Sequence, residues 1–228
     1  MTRRTPVTEE AGLRRRFRVI DTELDIGGRQ LSILHPVSAE DLINEADFER
    51  DERLPYWAEL WPSARVLAEQ LLGLPGEGRT LLELGCGAGL VATSAALAGF
   101  RVCASDYYAD ALRFARVNAW RNGTGEIETR PLDWRRLPAR LGRFDFVVAS
   151  DVLYERAHAS LVADVLAASL QPKGVALIAD PGRVAAEDFV AAVSQPGRRL
   201  QVVARPTFSF VDGPVRQTIT VFRIEPTE

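Results

Sequence analysis

The sequence predicts an α/β fold in which a doubly wound, mostly parallel sheet of seven strands follows an N-terminal β-hairpin and helix extension. From residue 79 onward, short apolar runs alternate with amphipathic segments, which is typical of parallel strands covered by helices on both faces. The first apolar run leads directly into a glycine-rich segment. The chain has 228 residues, of which 46% are hydrophobic and 26% charged, as expected for one globular domain with a short extension.

The front of the chain predicts a hairpin followed by two helical segments. Residues 17–34 alternate apolar and polar positions on both sides of Gly27-Gly28, which indicates two antiparallel strands joined by a tight turn. In the acidic segment that follows, apolar residues stand at roughly helical spacing before Pro55, at Leu42, Ile43, Ala46 and Phe48. Pro62 then fits the first turn of a helix that carries Ala64 to Leu72, because proline is tolerated at that position.

The rest of the chain supplies the seven strands of the sheet. Five apolar runs predict parallel strands at 80–84, 101–105, 127–131, 144–150 and 174–179. Amphipathic segments predict helices at Leu90–Ala98, Ala109–Trp120, Ala159–Leu170 and Glu187–Val193. Two further strands, 200–204 and 217–224, form a closing hairpin around a turn at Asp212-Gly213-Pro214. We therefore assign residues 1–54 to an arm, hairpin and helix that pack on the core, and residues 55–228 to the main domain.

Composition excludes several classes of protein. The net charge of −3 is spread along the chain, so we expect neither nucleic acid nor a membrane surface as a partner. No apolar run reaches the roughly 18 to 20 residues of a membrane span, and no secretory signal is visible, which predicts a cytoplasmic protein. Cys86 and Cys103 stand outside any zinc or disulfide pattern. An N-terminal cluster of arginines is predicted to be a solvated tail: Arg3, Arg4, Arg14, Arg15, Arg16 and Arg18.

The strongest motif runs from Leu81 to Leu90, where an apolar strand carrying Glu83 enters a G-x-G-x-G turn and then a helix. Gly85, Gly87 and Gly89 allow the backbone to approach a ligand closely and present amides at a helix N-terminus. A dinucleotide-binding turn requires G-x-G-x-x-G, and its third glycine would fall at the position of Leu90. The remaining alternative is a tight strand-to-helix turn that binds nothing.

Polar residues also follow the later strands of the predicted sheet. Asp106 follows the second strand, about 20 residues after the first glycine, where a carboxylate accepts ribose hydroxyls in doubly wound folds. Asp133-Trp134 follows the third strand, and a surface Trp-Arg-Arg turn is the alternative explanation of this pair. The fourth strand ends in a cluster of Ser150, Asp151 and Tyr154. Asp180 follows the fifth strand near Asp151, but a third ligand is lacking, so we predict no metal site.

The G-x-G-x-G turn preceded by an acid resembles the S-adenosylmethionine (SAM) binding motif of class I methyltransferases, which have a Rossmann-like fold. The Asp151-x-x-Tyr154 motif and the segment from Pro55 to Pro62 resemble the seven-β-strand protein lysine methyltransferases of methyltransferase family 16. Bacterial members similar to the electron-transfer flavoprotein β-subunit lysine methyltransferase share this plan. The resemblance covers nearly the whole chain. It implies SAM as cofactor and S-adenosylhomocysteine (SAH) as product, bound by Trp61, Glu83, Gly85, Gly87, Gly89, Asp106, Asp133, Trp134 and Ser150.

The same resemblance implies N-methylation of lysine side chains on a protein substrate. Asp151 and Tyr154 are the predicted catalytic residues: Asp151 receives the lysine, and Tyr154 forms an aromatic rim with Trp57 beside it. Alternatives are a small-molecule N- or O-methyltransferase and a non-catalytic SAM-binding protein. Trp57 and Trp61 are four residues apart and would also fit one apolar packing stripe. His35 and His158 are expected to be surface or capping residues, and the oligomeric state stays open.

Overall fold

The computed structural model describes residues 5–42 and 55–227 of the chain. Its helices are α1 (Pro6–Arg16), α2 (Pro62–Leu72), α3 (Leu90–Leu97), α4 (Ala109–Arg121), α5 (Arg156–Ser169) and α6 (Ala186–Val193). Its strands are β1 (Val19–Ile26), β2 (Arg29–Pro36), β3 (Thr80–Leu84), β4 (Arg101–Asp106), β5 (Glu128–Pro131), β6 (Phe144–Ser150), β7 (Leu170–Asp180), β8 (Leu200–Ala204), β9 (Thr207–Asp212) and β10 (Val215–Pro226). Leu42 ends a short 3-10 turn, and the predicted helix through Ile43, Ala46 and Phe48 lies outside the described residues.

A central sheet with the order β5-β4-β3-β6-β7-β10-β8 confirms the predicted α/β fold. The first five strands of that order are parallel, and β10 runs antiparallel to β7 and β8. Alternate residues of β3 enter separate apolar clusters, with Leu81 in one and Leu82 and Leu84 in the other. The chain reverses its winding direction between β3 and β6, and ligands of such folds bind at the carboxyl ends of the strands there.

The sheet has eight strands rather than the predicted seven, because β9 precedes the closing turn. β10 is long enough to pair with β9 through its first half and with β7 and β8 through its second half. Phe208 and Phe210 of β9 pack against the core. The Arg65 side chain stacks on the Phe210 ring and forms an ion pair with Asp212. The predicted turn at residues 212–214 therefore joins two strands of one hairpin.

The arginine cluster is not a solvated tail in the described part of the chain. Residues 6–16 form α1, in which Leu13 is fully buried against Phe114 and Val117. Glu9 is also buried and forms ion pairs with Arg113 at 3.3 Å and Arg116 at 2.7 Å. Two of the predicted tail residues form ion pairs as well, Arg14 with Glu10 and Asp21, and Arg16 with Asp110. Arg3 and Arg4 lie outside the described residues.

The N-terminal hairpin of β1 and β2 is present as predicted and packs on α4. The buried amide of Asn118 donates to the carbonyls of Leu34 and Ala88 and accepts from the Leu34 N–H, each at 2.8 Å. Asn122 makes the equivalent pair of bonds to the backbone of Ser32 at 3.0 Å. Because Ala88 belongs to the glycine-rich turn, Asn118 connects the hairpin directly to that turn.

Candidate functional site

A cavity of about 480 Å³ lies at the carboxyl ends of the parallel strands. This volume is within the range of about 300 to 1,000 Å³ that is usual for small-molecule sites. The cavity wall includes all eleven site residues predicted from the sequence: Trp61, Glu83, Gly85, Gly87, Gly89, Asp106, Asp133, Trp134, Ser150, Asp151 and Tyr154. It also includes Tyr56, Tyr107, Tyr108 and Arg183, which the motifs did not identify.

The glycine-rich turn requires its three glycines for conformation and for close packing. Gly85, Gly87 and Gly89 have φ angles of 67°, 52° and 85°, in the left-handed region that side-chain-bearing residues rarely adopt. A Cβ atom at Gly87 would lie 2.9 Å from the Trp57 carbonyl oxygen, and one at Gly89 would lie 2.5 Å from Cα of Ala115. The turn is therefore fixed between the segment before α2 and the middle of α4.

Glu83 is a buried carboxylate with an unsatisfied oxygen. Only 1% of the residue is exposed, and its Oε2 has no hydrogen-bond partner among the described residues. Burial raises the pKa of this carboxyl well above its ordinary value, the nearby Asp106 raises it further, and a hydrogen bond from the Ala92 backbone opposes the shift. Such a group is costly unless a donor completes it. A ligand with an ammonium group would fit this position.

Asp106 is held in place by backbone amides at the end of β4. Its Oδ2 accepts from the Gly87 N–H at 3.0 Å and its Oδ1 from the Tyr108 N–H at 2.9 Å. Burial raises the pKa of Asp106 to about 6, against the effect of these backbone hydrogen bonds. Each carboxylate oxygen accepts more than one hydrogen bond. The side chain is thus oriented by the chain and retains capacity for the hydroxyls of a ligand.

Trp134 and His158 form the wall of the cavity next to Gly85. A Cβ atom at Gly85 would lie 3.7 Å from the Trp134 ring, and the Trp134 and His158 rings meet edge to face with centroids 5.3 Å apart. His158 is 4% exposed, and its Nδ1 donates to the Val152 carbonyl at 2.8 Å. The expectation that His158 is a surface or capping residue is therefore wrong. His35 is half-buried and hydrogen-bonded to Thr22.

Asp133 caps the turn that carries Trp134. Its Oδ1 accepts from the backbone N–H and from Nε of Arg135, at 3.0 and 2.9 Å. This is the Trp-Arg-Arg turn considered as an alternative, and the same turn lines the cavity. The two explanations of the pair are therefore compatible.

Asp151 also lines the cavity and is already paired. Its backbone has a φ of 58°, and its side chain, 4% exposed, accepts from Nε of Arg183 at 2.6 Å and from Oγ of Ser63 at 3.1 Å. The Arg183 guanidinium also lies over the Trp61 ring, 5.2 Å from its centroid. The sequence signal that would have identified Arg183 is its position in Asp180-Pro181-Gly182-Arg183, immediately after β7.

The aromatic rim differs from the predicted one. Tyr154 packs edge to face against Tyr56, with centroids 5.5 Å apart, and against His158 at 4.7 Å. The Trp57 ring instead packs against Phe17, Tyr108 and Phe114. Trp57 thus helps to hold the N-terminal elements and also lines the cavity. Trp61 lines the cavity as well and donates its Nε1–H to the Tyr56 carbonyl at 3.0 Å. The single apolar stripe proposed for the two tryptophans is therefore also wrong.

Cysteine chemistry is not available in this cavity. Burial is the main cause that raises the pKa of Cys86 well above its ordinary value and that of Cys103 to about 12, so both stay as unreactive thiols at neutral pH.

Within residues 5–42 and 55–227, no group of three or more His, Cys, Asp or Glu residues is placed to hold a metal ion. None of the described helices is long and apolar enough to cross a membrane.

Comparisons with known proteins identify a family for this arrangement. Residues 56–203 match the family model of the methyltransferase domain. The electron transfer flavoprotein beta subunit lysine methyltransferase of Danio rerio is 32% identical over 138 residues, which cover 59% of this chain and 53% of that protein. The ubiquinone biosynthesis O-methyltransferase of Caulobacter vibrioides is 34% identical over 110 residues, which cover 48% of this chain and 43% of that protein. Both alignments span about half of the relative's length.

A solved structure shares the fold. The N-methyltransferase NodS from Bradyrhizobium japonicum WM9, crystallised with SAH, superimposes with a TM-score of 0.58 and 21% identity over 78% of this chain and 96% of that one. The family match covers well over half of the chain and contains the cavity wall from Tyr56 to Arg183. The chain therefore belongs to the methyltransferase domain family.

Proposed function

We propose that this protein transfers a methyl group from SAM to the side-chain nitrogen of a lysine on a protein substrate. Membership of the methyltransferase family supports the methyl transfer. The Danio rerio relative, named a lysine methyltransferase, supports the acceptor. The observation that carries the proposal is that the cavity wall near Asp151 is negatively charged and bordered by solvent-exposed tyrosines.

The cofactor half of the cavity fits SAM. The unsatisfied Oε2 of Glu83 is suited to the ammonium group of the methionine portion, and the backbone of the glycine-rich turn to close contact with that portion. Asp106 has hydrogen-bonding capacity for the ribose hydroxyls, and Trp134 offers a ring for the adenine, with Asp133 and Ser150 nearby. SAM, when bound, supplies a methyl group already activated on a sulfonium, so transfer needs no nucleophile from the protein.

The acceptor half is acidic and exposed. Once Glu83, Asp106 and the Asp133–Arg135 pair are assigned to the cofactor half, the charged residues left on the wall are three acids and one base: Glu59, Asp151, Glu155 and Arg183. Tyr56 and Tyr154 border this half and are each 38% exposed. A net negative site attracts a cation, and tyrosine faces add cation–π attraction. A long, flexible cationic side chain such as lysine fits this combination.

Alignment is the main catalytic contribution we expect from the chain. Holding the acceptor nitrogen in line with the S–CH₃ bond at about 3 to 3.5 Å contributes several kcal/mol through proximity. A lysine must also lose a proton first, which costs roughly 4 to 5 kcal/mol at neutral pH because its reference pKa is about 10.4. In this proposal Asp151 and Tyr154 position the nitrogen at the rim.

The test is incorporation of label from methyl-tritiated SAM. The purified protein is incubated with a lysate of its own organism, and precipitated protein is hydrolysed in acid and separated by chromatography. We expect the label to appear as methyl-lysine in one or a few protein bands, and an Asp106→Ala variant to give none. Label confined to soluble small molecules, or protein-bound label that is not methyl-lysine, would contradict the proposal.

Small-molecule N- or O-methylation is the competing function. The similarity to the Caulobacter vibrioides O-methyltransferase supports it, whereas the exposed rim at Tyr56 and Tyr154 favours a macromolecular acceptor. The same labelling experiment separates the two, because a small methylated product stays in the supernatant after protein precipitation. A protein that binds SAH tightly but labels neither fraction would instead be a non-catalytic SAM-binding protein.

A further inference from the structure

Arg183 places a permanent cation inside the acceptor half of the cavity. Its Nε bonds to the buried Asp151 carboxylate at 2.6 Å, and its guanidinium lies over the Trp61 ring. Among the described residues, the two terminal guanidinium nitrogens have no hydrogen-bond partner. Arginine stays protonated at every physiological pH. Arg183 therefore keeps its positive charge when the acceptor binds.

The backbone of Arg183 is fixed as firmly as its side chain. Oδ1 of Asp180 accepts from the N–H groups of Gly182 and Arg183, both at 2.7 Å. Gly182 turns the chain with a φ of 91°. Ser63, at the start of α2, binds the other oxygen of Asp151 at 3.1 Å. Three separate elements thus hold one carboxylate–guanidinium pair at the cavity wall, which is more than a surface ion pair receives.

We propose that Arg183 is a positioning residue that balances the charge of Asp151, so that the acceptor nitrogen, drawn to the rim as a cation, binds beside Asp151 as a neutral amine. This inference rests on the proposed function, since it concerns how an amine acceptor is received. A bare carboxylate at this place would stabilise the ammonium form of lysine, whose nitrogen has no lone pair to react. A fixed cation beside the acceptor acts in the opposite direction and favours the free amine.

Other charged groups around Arg183 do not replace this balance. Asp180 is not part of the cavity wall. Burial raises its pKa, and its Oδ1 accepts from two backbone amides. The acceptor half contains five further titratable groups. Tyr56 and Glu59 come from the segment before α2, and Tyr154, Glu155 and His158 lie at or just before the start of α5. Glu59 and Glu155 are exposed, so solvent screens them. They attract the lysine from outside, whereas Arg183 acts at the point of reaction.

The experiment measures amine binding and needs no turnover. The SAH-saturated protein is titrated with n-butylamine, which reproduces the end of a lysine side chain, at several pH values between 7.5 and 9.5. Binding is followed by the indole N–H resonance of Trp61. If the neutral amine is the form that binds, the apparent affinity of the wild type rises about tenfold per pH unit, or about 100-fold over this range.

Substitution of Arg183 removes that dependence. In Arg183→Gln and Arg183→Met, the bare Asp151 carboxylate should bind the ammonium form, and the change with pH should fall below about threefold or reverse. Arg183→Lys keeps the cation and should keep the steep dependence. The matched control is Arg205→Gln, which removes an arginine outside the cavity wall and should leave the titration unchanged. SAH affinity, measured by calorimetry, verifies that each variant is folded.

Two results would overturn the proposal: a wild-type affinity that does not rise with pH, including no detectable binding at pH 9.5, or the same steep rise in the Gln and Met variants. Failure of the proposed function is recognised separately. If the lysate experiment yields no methyl-lysine while the titrations behave as described, the lysine acceptor is wrong and the role of Arg183 at an amine site stands.

Discussion

Glu83 combines a folding cost with the cofactor-binding role that we propose for it. Its carboxylate is buried, one oxygen is unsatisfied, and burial is the main cause of its raised pKa. A raised pKa means that the ionised form is disfavoured in the folded protein, so this charge lowers stability at neutral pH. The same unsatisfied oxygen is available to a cationic group of a ligand. Glu83 is therefore the residue at which stability and cofactor binding should diverge.

Glu83→Gln should weaken SAH binding and stabilise the ligand-free protein. Loss of a charge-assisted hydrogen bond costs about 1.5 to 3 kcal/mol, or about 10- to 100-fold in affinity. The ligand-free melting temperature should rise, because a neutral amide is less costly to bury. Calorimetry and thermal unfolding measure the two effects. Glu59→Gln, an exposed carboxylate on the same cavity wall, is the control and should change neither. Unaltered SAH affinity in Glu83→Gln would refute the assignment.

The raised pKa of Asp106 predicts a pH dependence with a defined sign. The folded group ionises at about 6, against an ordinary value of 3.8, so the folded state retains a proton that the unfolded state has lost. The contribution of this group to the unfolding free energy therefore falls by up to about 3 kcal/mol as the pH rises from about 4 to about 6. A ligand whose hydroxyls donate to the carboxylate needs the ionised form and should bind better above pH 6.

SAH affinity should accordingly drop by about tenfold between pH 7.5 and pH 5. Glu83 acts in the same direction, so the observed drop should be at least this large. Isothermal titration calorimetry at the two pH values measures it. In Asp106→Asn the affinity should be lower at both values and its change with pH shallower. Equal wild-type affinities at pH 5 and pH 7.5 would show that Asp106 does not bind the ligand as an ionised carboxylate.

The sequence was enough to predict the cavity residues that belong to the end of a single strand. It was not enough for residues that reach the cavity from other segments of the chain. Spacing along β3 and β4 was enough to place Glu83, the glycines and Asp106 in the cavity wall, because each lies near the carboxyl end of one of these strands or in the turn after it. Tyr56 was missed because, of the two adjacent aromatic residues in the 3-10 turn from Tyr56 to Ala58, it is Tyr56 that packs against Tyr154, whereas Trp57 packs against Phe114. Hydrophobicity does not distinguish neighbouring aromatics. Arg183 was missed because its importance comes from a contact with Asp151, 32 positions earlier in the chain.

Among the elements, α3 and α4 depend on one close approach at Gly89. Gly89 caps α3, and its missing Cβ leaves space for the backbone of Ala115 in α4. Gly123 has a similar φ of 81° but nothing within 4 Å of a Cβ position. The two glycines share the conformational requirement and differ in packing. Alanine substitutions at the two positions therefore distinguish the cost of backbone strain from the cost of steric overlap.

Gly89→Ala should destabilise the protein far more than Gly123→Ala. The left-handed backbone costs an alanine about 1 to 2 kcal/mol at either position. At Gly89 the overlap with Ala115 forces the helices apart and adds about 1 to 3 kcal/mol or more. Urea unfolding monitored by circular dichroism measures the difference. Equal losses in the two variants would mean that α3 and α4 can separate freely at this point.

The two elements that the sequence did not predict, α1 and β9, each bury only a few side chains. Helix α1 buries only Leu13 and Glu9, so its periodicity is weak. Arg14 and Arg16 form ion pairs with β1 and α4 instead of contributing to an apolar face. Strand β9 shows the required alternation at Phe208 and Phe210, but Pro206 before it and the turn at Gly213 leave a run that is short enough to be taken for a loop. The central strands were predicted because they are buried on both faces.

For the molecule as a whole, the N-terminal extension and the main domain share one hydrophobic core. Leu24, Ile26, Leu31 and Ile33 of the hairpin belong to the same apolar cluster as α2 and α3. Burial of each such side chain contributes about 1.5 to 3 kcal/mol, and the four together compare with the whole net stability of a typical domain. The division at residue 54 therefore describes sequence organisation more than independent folding.

A fragment of residues 55–228 should fail to form a stable, ligand-binding domain. This fragment lacks α1 and the hairpin, so the apolar cluster that they cover would be exposed. The Asn118 side chain would also lose its hydrogen bonds to the Leu34 backbone. We expect poor solubility, binding of an apolar dye and no SAH-dependent rise in melting temperature. A control fragment of residues 5–228 should behave as the full chain does. A monodisperse 55–228 fragment that binds SAH would contradict this prediction.

The parallel direction of β7 has a practical consequence for detecting activity. The chain contains a single lysine, Lys173, which is exposed near the amino end of that strand. The cavity lies at the carboxyl end of the sheet, beyond Asp180, about 23 Å away at 3.3 Å per residue. A molecule therefore cannot reach its own lysine. If lysine is the acceptor, as proposed, radioactivity in the band of the enzyme itself would report transfer between two copies at this position. A single Lys173→Arg substitution would then identify the background of a labelling assay.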